Sequence, residues 1–175
     1  MLQDCLLTIG DSAAFCVALV FLVAAAAKLR HRATLAGVIG NYRLLPSALV
    51  GPTALVLPWL EVLVGAMLLV GERRWVPAIA ALLLVIFAAA MAINIGRGRR
   101  RIDCGCGVGG LRQSLHGALV ARNLALAVAL LLNLSAGQVP LYGHVAAIAT
   151  GLALFLLILL LDALLAVPGF RAQQV

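Results

Sequence analysis

From Trp75 to Ile95 the chain reads WVPAIAALLLVIFAAAMAINI, without one charged side chain. A helix needs about 20 predominantly apolar residues to cross the hydrocarbon core of a bilayer. This stretch has that length, opens on an aromatic suited to the headgroup level, and runs into Arg97, Arg99, Arg100 and Arg101. It reads as a membrane span, predicted over about 76–96, and its neighbours repeat the pattern. Upstream lies the polar turn Gly71-Glu72-Arg73-Arg74, and before it Leu44 to Val70 holds one charge, Glu61. With Pro46, Pro52 and Pro58 at its start, that stretch predicts a span at about 53–70. Ser12 to Ala27 is apolar apart from Ser12, which follows Asp11 as a cap for a first helical turn. Lys28, Arg30, His31 and Arg32 stop it, so a span is predicted at about 11–29. Downstream, Asn123 to Leu161 is uncharged but too long for one crossing. Ser135-Ala136-Gly137-Gln138-Val139-Pro140 breaks it with turn formers and a proline, giving spans at about 117–135 and 141–163. The fold class is an all-α, polytopic transmembrane helical bundle of five spans, with four as the runner-up count. It occupies 1–175 as a single membrane domain.

The bulk numbers agree. The 175 residues are 65% hydrophobic and 11% charged with a mean hydropathy of +1.15, whereas soluble domains are near half apolar and a quarter charged. The first residues carry Asp4 and no Lys or Arg, unlike a signal peptide's basic start. Ala13-Ala14-Phe15 before Cys16 lacks the small residue that lipoprotein processing needs, so the first span is expected to be retained. The net charge of +7 is not a nucleic-acid footprint, because its positions follow the spans. Lys28, Arg30, Arg32, Arg43, Arg97, Arg99, Arg100, Arg101, Arg112, Arg122 and Arg171 fall on one face, and only Arg73 and Arg74 on the other. Under the positive-inside rule that bias puts the amino terminus outside, the carboxyl terminus inside and the 97–116 loop on the cytoplasmic face. A basic collar of this kind attracts anionic headgroups of membrane lipids.

The chemistry concentrates in Arg97-Gly98-Arg99-Arg100-Arg101-Ile102-Asp103-Cys104-Gly105-Cys106-Gly107-Val108-Gly109-Gly110. Two cysteines at i and i+2 among glycines belong to a loop, not to a packed helix. Arg100 and Arg101 favour the nucleophilic thiolate, while Asp103 opposes it. A disulfide closing so small a ring is strained and readily reduced, as suits an exchanging bond. Two readings stand for Cys104 and Cys106: a redox pair, or two thiolates for a soft metal ion with His116 or His31 as further ligands. A third treats the chain as a membrane scaffold or chaperone whose cysteines do no chemistry. Paired Cys-x-x-Cys elements, the stronger metal signature, are absent from the sequence, and no metal site is assigned. Cys5 and Cys16 form a possible second thiol pair near the opposite face. Glu61 within a span marks function or an interhelical partner, for which Arg122, Asn94 and Asn133 are the candidates; its two readings are proton uptake and a hydrogen-bonded clamp. His31 and His144 need no special role, and His116 is a helix-start histidine or a proton donor.

The run Ala90 to Gly107, ending in Asp103-Cys104-Gly105-Cys106-Gly107, resembles the signature of the methylamine-utilisation MauE family of bacterial membrane proteins. Lys28-Leu29-Arg30, Asn41-Tyr42-Arg43-Leu44-Leu45-Pro46, Leu57-Pro58-Trp59-Leu60-Glu61 and Val120-Ala121-Arg122-Asn123 follow the family's order over about 25–130. Val108 after Gly107, where the family commonly has an aromatic, and Arg101, where an acid is frequent, depart from it. The family is similar to membrane thiol–disulfide proteins of the DoxX and vitamin-K-epoxide-reductase type. The resemblance implies a bacterial inner-membrane protein that supports maturation of the periplasmic small subunit of methylamine dehydrogenase, with a thioredoxin-like MauD-type partner. As an enzyme it would be a membrane thiol–disulfide oxidoreductase. Because the cysteine pair is expected on the cytoplasmic face, about 30 Å from a periplasmic client, a relay would have Cys5 and Cys16 as its second station and would also need large motion, a quinone or another protein. Otherwise the glycine-rich loop would fold back into the bundle. No other cofactor is called for.

Overall fold

The computed structural model describes residues 2–72, 74–99, 115–134 and 141–166. Those residues form six α-helices: α1 (Leu2–Arg30), α2 (Arg32–Asn41), α3 (Ser47–Val70), α4 (Val76–Gly96), α5 (Gly117–Leu131) and α6 (Leu141–Ala166), with a 3-10 turn at Leu132–Leu134 after α5. Four of them are long and apolar enough to cross a membrane, within α1, α3, α4 and α6; α5 is apolar but shorter. The five predicted segments are therefore all present as helices, four of full spanning length, and the chain is a polytopic helical bundle.

Boundaries differ where local chemistry overrides the sequence signals. α1 starts nine residues before the predicted 11, so Ser12 is no cap. It sits in mid-helix and donates its hydroxyl to the Thr8 carbonyl at 2.7 Å, which satisfies it without breaking the ladder. α3 begins at Ser47, not 53. Pro46 precedes its first turn and Pro52 and Pro58 lie within it; Pro58 is buried against the neighbouring helices, while Pro52 is exposed near the helix start. The stretch after Lys28, expected to be a loop, contains α2, whose Leu35 is buried while His31 is exposed. α4 coincides with the predicted 76–96.

α3 and α4 both end in a glycine-terminated cap. Gly71 (φ 83) donates to Leu68 and Glu72 to Met67; Gly98 (φ 72) donates to Ile95 and Arg99 to Asn94. Only a residue free of a Cβ penalty adopts such φ values without cost, and the crossed bonds satisfy carbonyls the helix end would otherwise leave open.

α1 is the centre. It packs most extensively on α3 and α6 and also touches α5, while α4 packs chiefly on α5. Val17, Ala18 and Phe21 of α1 meet Val64 and Leu68 of α3, Ala80 and Leu84 of α4, and Ala127 and Leu130 of α5 in one buried cluster. Small residues set the spacing. A Cβ on Gly65 would lie 3.0 Å from Leu22 and 3.1 Å from the Ala18 carbonyl, and one on Gly151 would lie 2.7 Å from the Ser12 carbonyl. Without a hydrophobic drive between helices in lipid, such close backbone approach is the main source of association. Contacts of Lys28 with Glu61 and of Leu22 with Gly65 make α1 and α3 antiparallel. Asp11 with His144 and Ser12 with Gly151 make α1 and α6 parallel.

Candidate functional site

The end of the bundle formed by the close of α1 and α4 and the start of α3 and α5 collects the described basic residues. Lys28, Arg30, Arg32, Arg43, Arg97, Arg99 and Arg122 lie there, and Arg74 lies at the other end. The segment that carries Arg100, Arg101, Asp103, Cys104 and Cys106 lies outside the described residues, but both of its attachments are fixed. On the α4 side, Asn94, fully buried, donates to the Ala90 carbonyl at 3.1 Å and accepts from Arg99 at 3.4 Å. Arg97 reaches across to the Arg43 carbonyl at 3.4 Å. On the α5 side, Leu115 and Leu119 are buried against Met91, with Tyr42, Phe87, Ile95 and Val120 around them. His116 occupies the N-cap of α5 in extended backbone and makes no side-chain cap bond. The cysteine-bearing connection thus leaves and re-enters one compact end of the α4–α5 pair.

Below it lie two ion pairs that sequence reasoning did not anticipate. Glu61 is fully buried and binds the Lys28 ammonium through both carboxylate oxygens, at 2.7 and 2.8 Å. Of the expected partners, Arg122 and Asn94 are bonded elsewhere, and the side chain of Asn133 lies outside what is described. α1 presents Lys28 to α3 at the level of Glu61, and the ammonium also stands 5.6 Å from the centre of the Phe87 ring, an attraction to the ring face. Arg122 instead holds Asp162 of α6 with contacts of 2.6 and 2.8 Å. It is an interhelical clamp between α5 and α6. The signals are present in the sequence: Lys28 follows the apolar run of the first span, and Asp162 follows the uncharged run that ends at Leu161. Both are charges at the depth of an opposite charge on another helix, where an unpaired charge is costly.

Cys16 is a free thiol with no exposed surface, packed in the core of α1. Cys5 lies on the same unbroken helix eleven positions earlier, about 16 Å away at the helical rise. Cα atoms more than about 7 Å apart cannot be bridged, so the two cysteines do not form a disulfide with each other in this fold. Among the described residues no group of three or more His, Cys, Asp or Glu is gathered as a metal site.

Comparison with known proteins bears directly on this arrangement. A family model described as methylamine utilisation protein MauE matches residues 6–136, which takes in α1 from Leu6 onward, α2 to α5 and the cysteine-bearing connection. A protein of Paracoccus denitrificans named methylamine utilization protein MauE is 45% identical over 122 residues, 69% of this chain and 65% of its own length. Proteins of the same name from Methylorubrum extorquens and Methylophilus methylotrophus are each 44% identical, over 63% and 57% of this chain and 61% and 53% of their own lengths. The matched part is thus less than two thirds of each of these relatives. No solved structure matches the chain. With the model spanning the whole region that builds the basic end, the chain belongs to the MauE family of methylamine utilisation proteins.

Proposed function

We propose that the protein is a thiol–disulfide exchange protein of the bacterial cytoplasmic membrane, with its amino terminus outside. In this reading it supports maturation of the disulfide-rich small subunit of methylamine dehydrogenase together with a thioredoxin-like, MauD-type partner. The observation that carries the reading is Asp103-Cys104-Gly105-Cys106-Gly107 within the family-matched region, between the α4 end, where Asn94 is buried, and the α5 start, where Leu115 and Leu119 are buried. One cysteine attacks a partner disulfide as the thiolate, forming a mixed disulfide; the other resolves it, releasing the partner as a dithiol and leaving Cys104–Cys106 oxidised. The reverse direction uses the same two steps. Arg100 and Arg101 favour the attacking thiolate and Asp103 tempers them. Lys28, Glu61, Arg122 and Asp162 hold the helices that present the segment, and His116 stands at its return to the bundle. Since Cys16 is sealed in the core, passage of electrons to the outer face falls to a membrane quinone or to the partner, not to a Cys5–Cys16 bridge.

The test is a redox titration of the purified chain in detergent, with mass-shift thiol labelling resolved by peptide. Cys104 and Cys106 are expected to titrate together as one two-electron couple, and Cys104→Ser/Cys106→Ser to abolish client maturation in cells. A pair that stays reduced under oxidant, or a double variant that still matures its client, would overturn the reading.

A further inference from the structure

Between α1, α2, α3, α4 and α5 lies a pocket of about 250 Å³, overwhelmingly apolar and partly open. Its lining runs from Tyr42, Leu44 and Leu45, in the turn between α2 and α3, to Phe21 and Leu84 inside the bundle. Lys28 lines it too, and α1 passes from there to Phe21 over about 10 Å at the helical rise. The pocket is thus a cleft that starts at the basic end and continues towards the middle of the membrane. An apolar cavity of about 150 Å³ holds benzene, so by proportion this one takes about ten carbons of a hydrocarbon chain. The charges in its wall are matched in pairs, Lys28 with Glu61 and Arg122 with Asp162, so the interior suits a neutral chain.

The rim is different. Arg43 stands between the lining residues Tyr42 and Leu44 and is exposed. It takes φ 48, a left-handed conformation that costs most residues with a Cβ and that glycine adopts freely. An arginine kept at such a position points to a use for its side chain. Arg97, also exposed, donates to the Arg43 carbonyl at 3.4 Å, which brings a second guanidinium to the same rim. Among the described residues no carboxylate answers this pair. Asp4, Asp11 and Glu72 lie towards the opposite end, and Glu61 and Asp162 are held by Lys28 and Arg122. Two arginines without an acid at headgroup level complement a phosphate, which a guanidinium binds through paired N–H groups.

We infer that this cleft is a binding site for an anionic phospholipid of the leaflet that meets the basic end. The phosphate sits between Arg43 and Arg97, and one acyl chain runs past Leu44 and Leu45 towards Phe21 and Leu84. The chain fills the space between α2 and the bundle and keeps water from the Lys28–Glu61 pair. The site uses none of the cysteine segment and stands apart from the exchange reading.

The experiment follows thermal unfolding of the full chain in a neutral detergent by circular dichroism, with phosphatidylglycerol, phosphatidylcholine or inorganic phosphate added. Phosphatidylglycerol is expected to raise the midpoint saturably, at a concentration at least about fivefold lower than phosphatidylcholine requires. Inorganic phosphate over the same range should leave the midpoint unmoved. In Arg43→Gly/Arg97→Gln the preference for the anionic lipid should fall to within about twofold. Glycine takes a positive φ freely and glutamine can still donate to the carbonyl of residue 43, so this variant keeps its fold. Arg30→Gln/Arg32→Gln removes the same charge about 15 Å away, at the far end of α2, and should keep a preference of at least about fourfold. Val38→Trp should abolish the saturable shift by filling the cleft, with Ala90→Leu from the opposite wall as the second variant if the first does not fold. An equal response to phosphatidylcholine would mean a cleft filled by any lipid tail, and an equal response to inorganic phosphate a bare anion site. Equal loss of preference in the two arginine pairs would mean the diffuse attraction of a basic collar. Unchanged binding in both cleft-filling variants would put the acyl chain elsewhere. Each of these results overturns the inference.

Discussion

Replacing Lys28 with Met isolates the worth of the ion pair it makes with Glu61. Methionine keeps most of the stem that lies by Phe87 and removes only the ammonium, leaving a carboxylate with no exposed surface. Breaking a buried pair by removing one partner costs about 3–5 kcal/mol. The lone carboxyl can escape by taking a proton, which at pH 7 costs about 3–4 kcal/mol for a group that ionises near pH 4.3 in water. The expected loss for Lys28→Met is therefore about 3 kcal/mol. Glu61→Met is expected to lose less, about 1–2 kcal/mol, because Lys28 is 9% exposed near the end of α1 and its long stem can carry the ammonium towards water. The double variant Lys28→Met/Glu61→Met leaves no buried charge and should lie within about 1 kcal/mol of the parent. Unfolding in mixed micelles by sodium dodecyl sulfate, followed by helical circular dichroism, gives the four free energies of the cycle and a coupling of at least about 2 kcal/mol. Two single variants that each lose less than about 0.5 kcal/mol and simply add would refute the pairing.

Three further outcomes are expected. Gly151→Ala drives a Cβ to 2.7 Å from the Ser12 carbonyl and should destabilise the fold by about 1–3 kcal/mol in the same unfolding assay, whereas Gly51→Ala, with open space around it, should be neutral or slightly stabilising. Cys16, fully buried, should resist a membrane-permeant maleimide in the folded protein and react fully after denaturation; rapid labelling without denaturant would contradict its place in the core. Alkaline phosphatase inserted after Glu72 should be active and a green fluorescent protein fused after Val175 fluorescent, as an outward amino terminus requires; the reverse pattern would invert the topology.

The helices were legible in the sequence because the bilayer makes one demand, an uninterrupted apolar run, and the chain meets it plainly at 76–96. The ends were less legible because they depend on local satisfaction. Ser12 reads as a cap by type but is satisfied four residues back within the helix, and Pro52 and Pro58 read as a threshold but lie inside the helix. α2 gave no signal of its own. Its polar, basic surroundings look like a loop, and what orders it is packing on α3. At the candidate site, the cysteine motif and the intramembrane acid were both visible. The partners of Glu61 and Arg122 were not, because helix rotation and relative depth decide which charges meet, and span-counting fixes neither.

The parallel seating of α6 on α1 has a consequence for how the protein is made. Ribosomes deliver α1 before α6, so the face of α1 that receives Gly151 has to wait in lipid until α6 has been inserted. Its hydroxyl opposite Gly151, Ser12, is already bonded to its own helix at 2.7 Å, and the carboxylate one residue earlier, Asp11, meets His144 once α6 is in place. Closure of that seam comes with the Arg122–Asp162 clamp, and a chain stalled before α6 would leave this face of α1 and the guanidinium of Arg122 open to whatever surveys unfinished membrane proteins.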